Sequence, residues 1–241
     1  MGDRFSFGDI LAQSNLMKKA VVLLSGGLDS AVTFFIAKQK YECYVLVFDY
    51  GQKAIREIES AKYLTAKDQT FLQVVKLPLS WQGNALTDDA IEIPSGNASA
   101  DGSIPITYVP ARNMVFLSFG ISFAETIRAE AVFIGAHQMD FSNYPDCRIS
   151  FFKSFQETVR LGTKMGTDGE GIKIITPIID MTKKEIIEEG MRLGVPFQHT
   201  WSCYAGGVVP CSSCESCLLR AKGFREAGYE DPLMLKNRKK K

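Results

Sequence analysis

The 241-residue chain is 46% apolar with a formal net charge of +1, enough apolar mass for one sizeable core and too little charge to be drawn as a whole onto nucleic acid. Its apolar runs fall short of the roughly 20 residues a membrane span needs, and the first 20 residues lack a signal-peptide core, so a cytoplasmic protein with no membrane or direct nucleic-acid partner is expected. Six cysteines, four of them between 203 and 217, fit a metal site in a reducing compartment better than a disulfide framework.

Residues 1–16 show no period and read as an N-terminal extension. From residue 17 onward strands are expected at 20–25, 44–49, 71–76, 131–135 and 172–176, alternating with helices at 30–39, 53–67, 112–128, 149–162 and 183–193. Such alternation predicts βαβ units and an α/β fold, doubly wound around a mainly parallel five-stranded sheet. That domain is expected over 17–195, followed by a small C-terminal zinc-binding helical segment over 196–230 and a basic tail over 231–241. The five basic groups from Lys236 to Lys241 leave about −4 on the rest, so the tail reads as a solvated end.

The first apolar run ends at Leu24 and enters Ser25-Gly26-Gly27-Leu28-Asp29-Ser30, which opens a helix. Glycines free to take positive φ can turn their N–H groups toward an anion, and the following helix N-terminus adds its amides. Gly-Gly alone reads equally well as an ordinary strand-to-helix turn; the two serines and Asp29 argue for phosphate. The turn has neither the Gly-Lys-Ser/Thr tail of a Walker A loop nor the Gly-x-Gly-x-x-Gly of dinucleotide enzymes.

Tyr44 to Phe48 is continuously apolar, as in a strand covered on both faces, and Phe48 to Gln52 stand where an open α/β sheet places ligand contacts. The polar stretch 83–109 reads as a substrate-covering lid, with a plain disordered insertion as the alternative. On helix 112–128, Phe116, Phe119, Gly120, Phe123 and Ile127 share one face, which makes its aromatics core. Arg112 is poorly placed for the dipole of the helix it opens and makes sense against an anion, with Asn113 beside it as a cap. In the loop after strand 131–135, Asp140 and Asp146 could accept hydrogen bonds from an amine-bearing heterocycle, Tyr144 could stack on it and Arg148 could pair with a carboxylate. His137 has no identifiable partner and reads as an ordinary packed histidine. Cys147 lacks an evident base and is a poor candidate nucleophile. Thr182 and Glu185 form a capping box, which leaves Lys183 in the first turn of its helix, a place for a cation only if it faces phosphate.

Cys203, Cys211, Cys214 and Cys217 have the spacing Cys-x7-Cys-x2-Cys-x2-Cys. Four thiolates suit tetrahedral Zn²⁺ in a closed, structural site, with an iron–sulfur cluster as the rival. Arg220, Lys222 and Arg225 could offset the surplus negative charge.

Together, the Ser25–Ser30 turn, Phe48 to Gln52, Val109 to Asn113, Asp140 to Arg148 and the cysteine cluster resemble the 7-cyano-7-deazaguanine synthase family of the queuosine pathway, within the pyrophosphate-loop ATP pyrophosphatases. The resemblance covers roughly residues 18–230. It implies that 7-carboxy-7-deazaguanine, ammonia and two ATP become the nitrile through two successive adenylations, acid to amide to nitrile. It further implies ATP binding by Leu24, Ser25, Gly26, Gly27, Leu28, Asp29, Ser30 and Phe48, and substrate binding by Arg112, Asn113, Asp140, Tyr144, Asp146 and Arg148. Asp29 would help hold Mg²⁺ with ATP, Lys183 would neutralise departing pyrophosphate, Arg112 would complete the catalytic set, and a homodimer is suggested. With no room for a glutaminase domain, ammonia would come from solution or a separate protein. A tRNA-thiolating relative would instead need a basic tRNA face and a catalytic cysteine pair, and a relative could stop at the amide or modify a protein. A zinc-binding module on a dead nucleotide fold would bind ATP without turnover.

Overall fold

The structure, a computed structural model, describes residues 17–96, 103–138 and 143–238. The N-terminal extension, Asp140 and the last three lysines of the tail lie outside the described residues.

Strand β1 (Lys18–Leu23) leads through the glycine turn into α1 (Leu28–Ala37), followed by β2 (Tyr41–Asp49), α2 (Arg56–Ala66) and β3 (Leu72–Lys76). After a long connection come α3 (Arg112–Ile127), β4 (Ala131–Ile134), α4 (Ile149–Gly162), a one-turn α5 (Lys164–Thr167), β5 (Lys173–Ile175) and α6 (Lys183–Arg192). The ten predicted elements are all present, displaced by at most three residues at an end. The strands pair in parallel in the order β3-β2-β1-β4-β5.

Side chains of a strand alternate between faces, and both faces of this sheet are buried. Val22, Val45 and Val47 pack with α1, with Ile58 and Leu64 of α2 and with Ile186 and Ile187 of α6. Val21, Tyr44, Leu46 and Phe48 pack with Leu117, Ile121 and Ala124 of α3 and with Phe152 and Val159 of α4. The sheet is therefore doubly wound, and its order reverses between β1 and β4, where an open α/β sheet forms a ligand crevice. Those neighbours come very close: a Cβ on Gly135, just after β4, would lie 2.8 Å from Cα and 2.9 Å from N of Ser30 in α1.

Two expectations are corrected. The buried stripe of α3 is Asn113, Leu117, Gly120, Ile121, Ala124 and Ile127, so the aromatic row lies beside the core rather than in it. Phe119 is 43% exposed and Phe116 turns toward the crevice. The tail is also not simply solvated, because α8 (Pro232–Arg238) forms within it and seats Leu233 against Trp201 and the cysteines. Helix α7 (Glu215–Glu226) precedes it and packs on α6. Among the described residues no helix is long and apolar enough to cross a membrane.

Candidate active site

A cleft of about 240 Å³ opens at the reversal between β1 and β4. Leu24, Ser25, Leu28, Asp29 and Ser30 form its floor, and Phe48 and Tyr50 at the end of β2 form one side. The start of α3 packs against that side, and the loop after β4 supplies a further wall.

The turn is braced by its own side chains. Gly26 N–H donates to Ser30 Oγ and Gly27 N–H to Ser25 Oγ, both at 3.2 Å, and the two hydroxyls lie 2.9 Å apart. These amides therefore hold the serine hydroxyls at the mouth of the turn rather than point outward. Only Gly26 takes positive φ, at 92°, while Gly27 sits at −72°. A Cβ at Gly26 would also meet Glu57 O at 2.0 Å, whereas one at Gly27 would come no closer than 3.2 Å to Ser25 Oγ and 3.5 Å to Trp201 O. Gly26→Ala is accordingly expected to cost about 2–3 kcal/mol and about 4–10 °C in Tm, and Gly27→Ala a small fraction of that; thermal melts of the pair check it. A larger residue at Gly26 would displace α2 as well as distort the turn.

Two of the three residues expected to be catalytic, Asp29 and Lys183, meet in the cleft, while Arg112 stands apart beside Tyr50. Lys183 Nζ lies 2.8 Å and 3.0 Å from the Asp29 carboxylate oxygens, and His137 Nε2 lies 3.4 Å from Asp29 and 2.9 Å from Lys183 Nζ. Burial alone would raise the Asp29 acid, but Lys183 and His137 outweigh it and hold the carboxyl well below the usual carboxylate range. His137, expected to be an ordinary packed side chain, has partners in the centre of the site. The capping box predicted from Thr182 and Glu185 is present and sets the start of α6, which carries Lys183 across the cleft.

Arg112 follows Ala111, a non-glycine residue held at φ 54° with its N–H on Tyr108 Oη at 2.9 Å. Such left-handed backbone costs on the order of 1 kcal/mol and is common where a functional side chain is being aimed. The guanidinium is half-buried and donates to Tyr50 Oη at 2.8 Å. Burial works against its charge, yet Tyr50, Tyr144 and Asp146 outweigh that and push it further up. Phe48 stacks on Phe116 with centroids 4.1 Å apart and planes 3° off parallel, an aromatic wall on the same side.

Of the loop residues predicted for substrate, Tyr144 lines the cleft, its hydroxyl 2.8 Å from Thr107 Oγ1. Asp146 is buried behind it and accepts the Asn113 N–H at 2.9 Å, while Asn113 Nδ2 reaches Asp146 O at 3.2 Å and Cys147 Sγ at 3.3 Å. Asp146 and Asn113 thus lock the loop to the first turn of α3 and position Arg112 and Tyr144. Arg148 is exposed at the N-terminus of α4, away from the cleft lining. Burial pushes the Cys147 thiol up to about 12, which suits packing rather than nucleophilic attack.

The cysteine segment is part of the site, which its spacing alone does not reveal. The four sulfurs lie within 4.8 Å of one another, and Cys211 N–H and Cys214 N–H each point at a cysteine sulfur at 3.3 Å, on Cys203 and Cys211 respectively. Tetrahedral thiolates around one metal sit about 3.8 Å apart, so the donor set fits Zn²⁺. From this segment Ser202, Tyr204, Glu215, Ser216, Leu219 and Arg220 close the third side of the cleft. The stretch expected to be a lid is tied to the same knuckle: Gly96 N–H donates to Ser213 O at 2.9 Å, and Ser95 pairs with Cys214. Its flanks are anchored, with Asn84, Ala85 and Thr107 almost fully buried.

Arg220 does not serve as counter-charge to the thiolates. It is 5% exposed and forms a two-pronged pair with Asp231, Nε to Oδ2 at 2.7 Å and an Nη to Oδ1 at 2.9 Å, with further bonds to Thr200 Oγ1 at 2.8 Å and Phe197 O at 3.0 Å. Removing one member of so buried a pair leaves the other uncompensated. Asp231→Ala should lose about 3–5 kcal/mol in urea unfolding, although Asp231 itself does not line the cleft.

Comparisons with known proteins agree with this geometry. Residues 19–228 match the family described as "Queuosine biosynthesis protein QueC". The chain is 50% identical to the 7-cyano-7-deazaguanine synthase of Trichodesmium erythraeum over 221 residues, covering 90% of this chain and all of that protein. It is 49% identical to the protein of the same name from a Nostoc species, over 89% of this chain and 96% of that one, and 48% identical to that of Desulfitobacterium hafniense, over 90% and 93%.

Proposed function

Given that this chain belongs to the queuosine biosynthesis protein QueC family, we propose that its cleft converts 7-carboxy-7-deazaguanine and ammonia to 7-cyano-7-deazaguanine by two ATP-dependent adenylations. The observation that carries the reading is the meeting of Asp29, Lys183 and His137 on the phosphate turn, facing the Arg112 and Tyr144 wall across one cleft.

A carboxylate resists nucleophiles because of its charge, so its oxygen must first be joined to AMP. The Ser25 and Ser30 hydroxyls and the start of α1 receive the phosphates, and Lys183 meets the charge that grows on pyrophosphate as it leaves. Mg²⁺ bound with ATP would withdraw further charge from the phosphates, and Asp29 is the carboxylate placed to hold it, sharing it with Lys183. Arg112 holds the substrate's anionic end, Tyr144 and the Phe48–Phe116 pair enclose planar rings, and the C-terminal wall excludes water from the acyl adenylate. Ammonia then displaces AMP to give the amide. The amide oxygen is an equally poor leaving group, so it is adenylated in turn, and loss of AMP gives the nitrile. No step needs a covalent bond to the protein. Zn²⁺ in the cysteine knuckle would hold the third wall in place.

The test is to incubate the protein with 7-carboxy-7-deazaguanine, ATP, Mg²⁺ and ammonium while following AMP, pyrophosphate and product mass. Two AMP per nitrile are expected; no substrate-dependent AMP would overturn the reading.

A further inference from the structure

Glu57 is a carboxylate of the cleft that the steps above leave unused. It stands in the first turn of α2, and its backbone carbonyl lies directly behind Gly26 of the phosphate turn. Its side chain lines the cleft, and the groups that face it are Arg112 and Tyr50. The Arg112 guanidinium is engaged by Tyr50 Oη, and among the described residues the Glu57 carboxylate makes no hydrogen bond or ion pair. Glu57 is half-buried; a carboxylate partly desolvated without a partner is unfavourable, and that burial pushes its acid up to about 7, with Arg112 opposing. A glutamine of the same shape would avoid that cost.

Its position answers a need of the chemistry. Adenylation joins the substrate carboxyl to the α-phosphorus, so the acyl carbon must sit between the phosphate turn and Arg112, which is where Glu57 stands. At neutral pH ammonia is almost entirely ammonium, which has no lone pair and must lose a proton before it can attack. Asp29, held ionised by Lys183 and His137, is too acidic to take that proton.

We propose that Glu57 is the catalytic base of nitrogen transfer, attracting ammonium into the cleft and accepting its proton. This rests on the adenylation reading above. One proton passes from ammonium to the Glu57 carboxylate; the freed lone pair forms the C–N bond as the C–O bond to AMP breaks; the second surplus proton leaves on the AMP phosphate. Glu57 then returns its proton to solvent. In the second half-reaction the amide oxygen displaces pyrophosphate, the C–O bond to AMP breaks, and the nitrogen gives up its two protons, one to Glu57 and one to solvent.

The experiment compares wild type with Glu57→Gln in three readouts at pH 7: substrate-dependent ATP–pyrophosphate exchange without ammonium, amide and nitrile formation with ammonium, and trapping of the acyl adenylate by hydroxylamine, which is already neutral and needs no base. Exchange and trapping should stay within about threefold of wild type while ammonium-dependent product falls about 100-fold or more. The loss should shrink about tenfold per unit as the pH rises, because free ammonia then supplies itself. If exchange, trapping and product fall together, or if ammonium-dependent product is retained, Glu57 is not the base. If wild type itself shows no exchange, the adenylation reading fails and this one with it, so the two failures are told apart.

Discussion

Cys217→Ser protein should purify with less than about a tenth of the wild-type metal and make no detectable nitrile, because the metal is worth far more than the apolar cluster around it. That cluster comprises Ala54, Trp201, Leu233 and the cysteines Cys203, Cys214 and Cys217 themselves, too small a core to organise the segment unaided. Structural Zn²⁺ contributes on the order of 10 kcal/mol to such folds, so losing a thiolate releases the whole segment. A closed, structural site predicts that losing one cysteine unfolds the C-terminal segment rather than abolishing the chemistry directly. The structure changes that expectation, because Ser202, Tyr204, Glu215 and Arg220 of the same segment line the cleft. Metal analysis, limited proteolysis and turnover should therefore fail together, with cleavage near residue 200 and the sheet left resistant. A metal-free variant that still turns over at the wild-type rate would sink both the metal assignment and the third wall.

Lys183→Ala should lower substrate-dependent ATP–pyrophosphate exchange by about 10²–10³, the loss of one preorganised donor at developing charge, or about 3–4 kcal/mol. Lys183→Arg, which keeps the charge but not the reach to Asp29 and His137, should recover part of it. The same variant has a stability signature. The Asp29 carboxyl is held below its ordinary range in the fold, so its pairing stabilises the protein above that range and the gain is lost as pH falls through the acid region. The gap in Tm between wild type and Lys183→Ala should be widest near pH 7 and close as the pH drops below about 4. A gap that does not change with pH would show that Lys183 supports the fold by packing alone.

The ten elements of the sheet and its helices were legible because each rests on a local period of apolar side chains, and the same local reading found the glycine turn and the Thr182–Glu185 capping box. What escaped is what depends on distant segments meeting. Asp29, His137 and Lys183 come together only because β4 lies beside β1 and α6 follows β5 back across the end of the sheet. Glu57 lies beside the charged pair Arg56 and Glu59, and it lines a cleft only because α2 meets α3 and the C-terminal segment there. Phe116 missed its role by the angular width of one helical position: the buried stripe of α3 runs through Leu117, which leaves Phe116 to stack on Phe48. Arg220 looked like a counter-ion for thiolates because Asp231, its true partner, sits beyond the end of α7 in a stretch that reads as tail. For Asp146, a side chain that could serve a ligand is used to brace the loop that bears Tyr144.

The contact of Ser95 with Cys214, and of Gly96 with Ser213, also sets the order in which the molecule can be completed as it is made. The glycine turn, β1 and β2 leave the ribosome early and can pair as soon as α1 is out. The connection through residue 96 has no knuckle to rest on until residues 203–217 have followed and met their metal. A chain that has not yet reached residue 203 therefore lacks the third side of the cleft, whatever the state of its sheet.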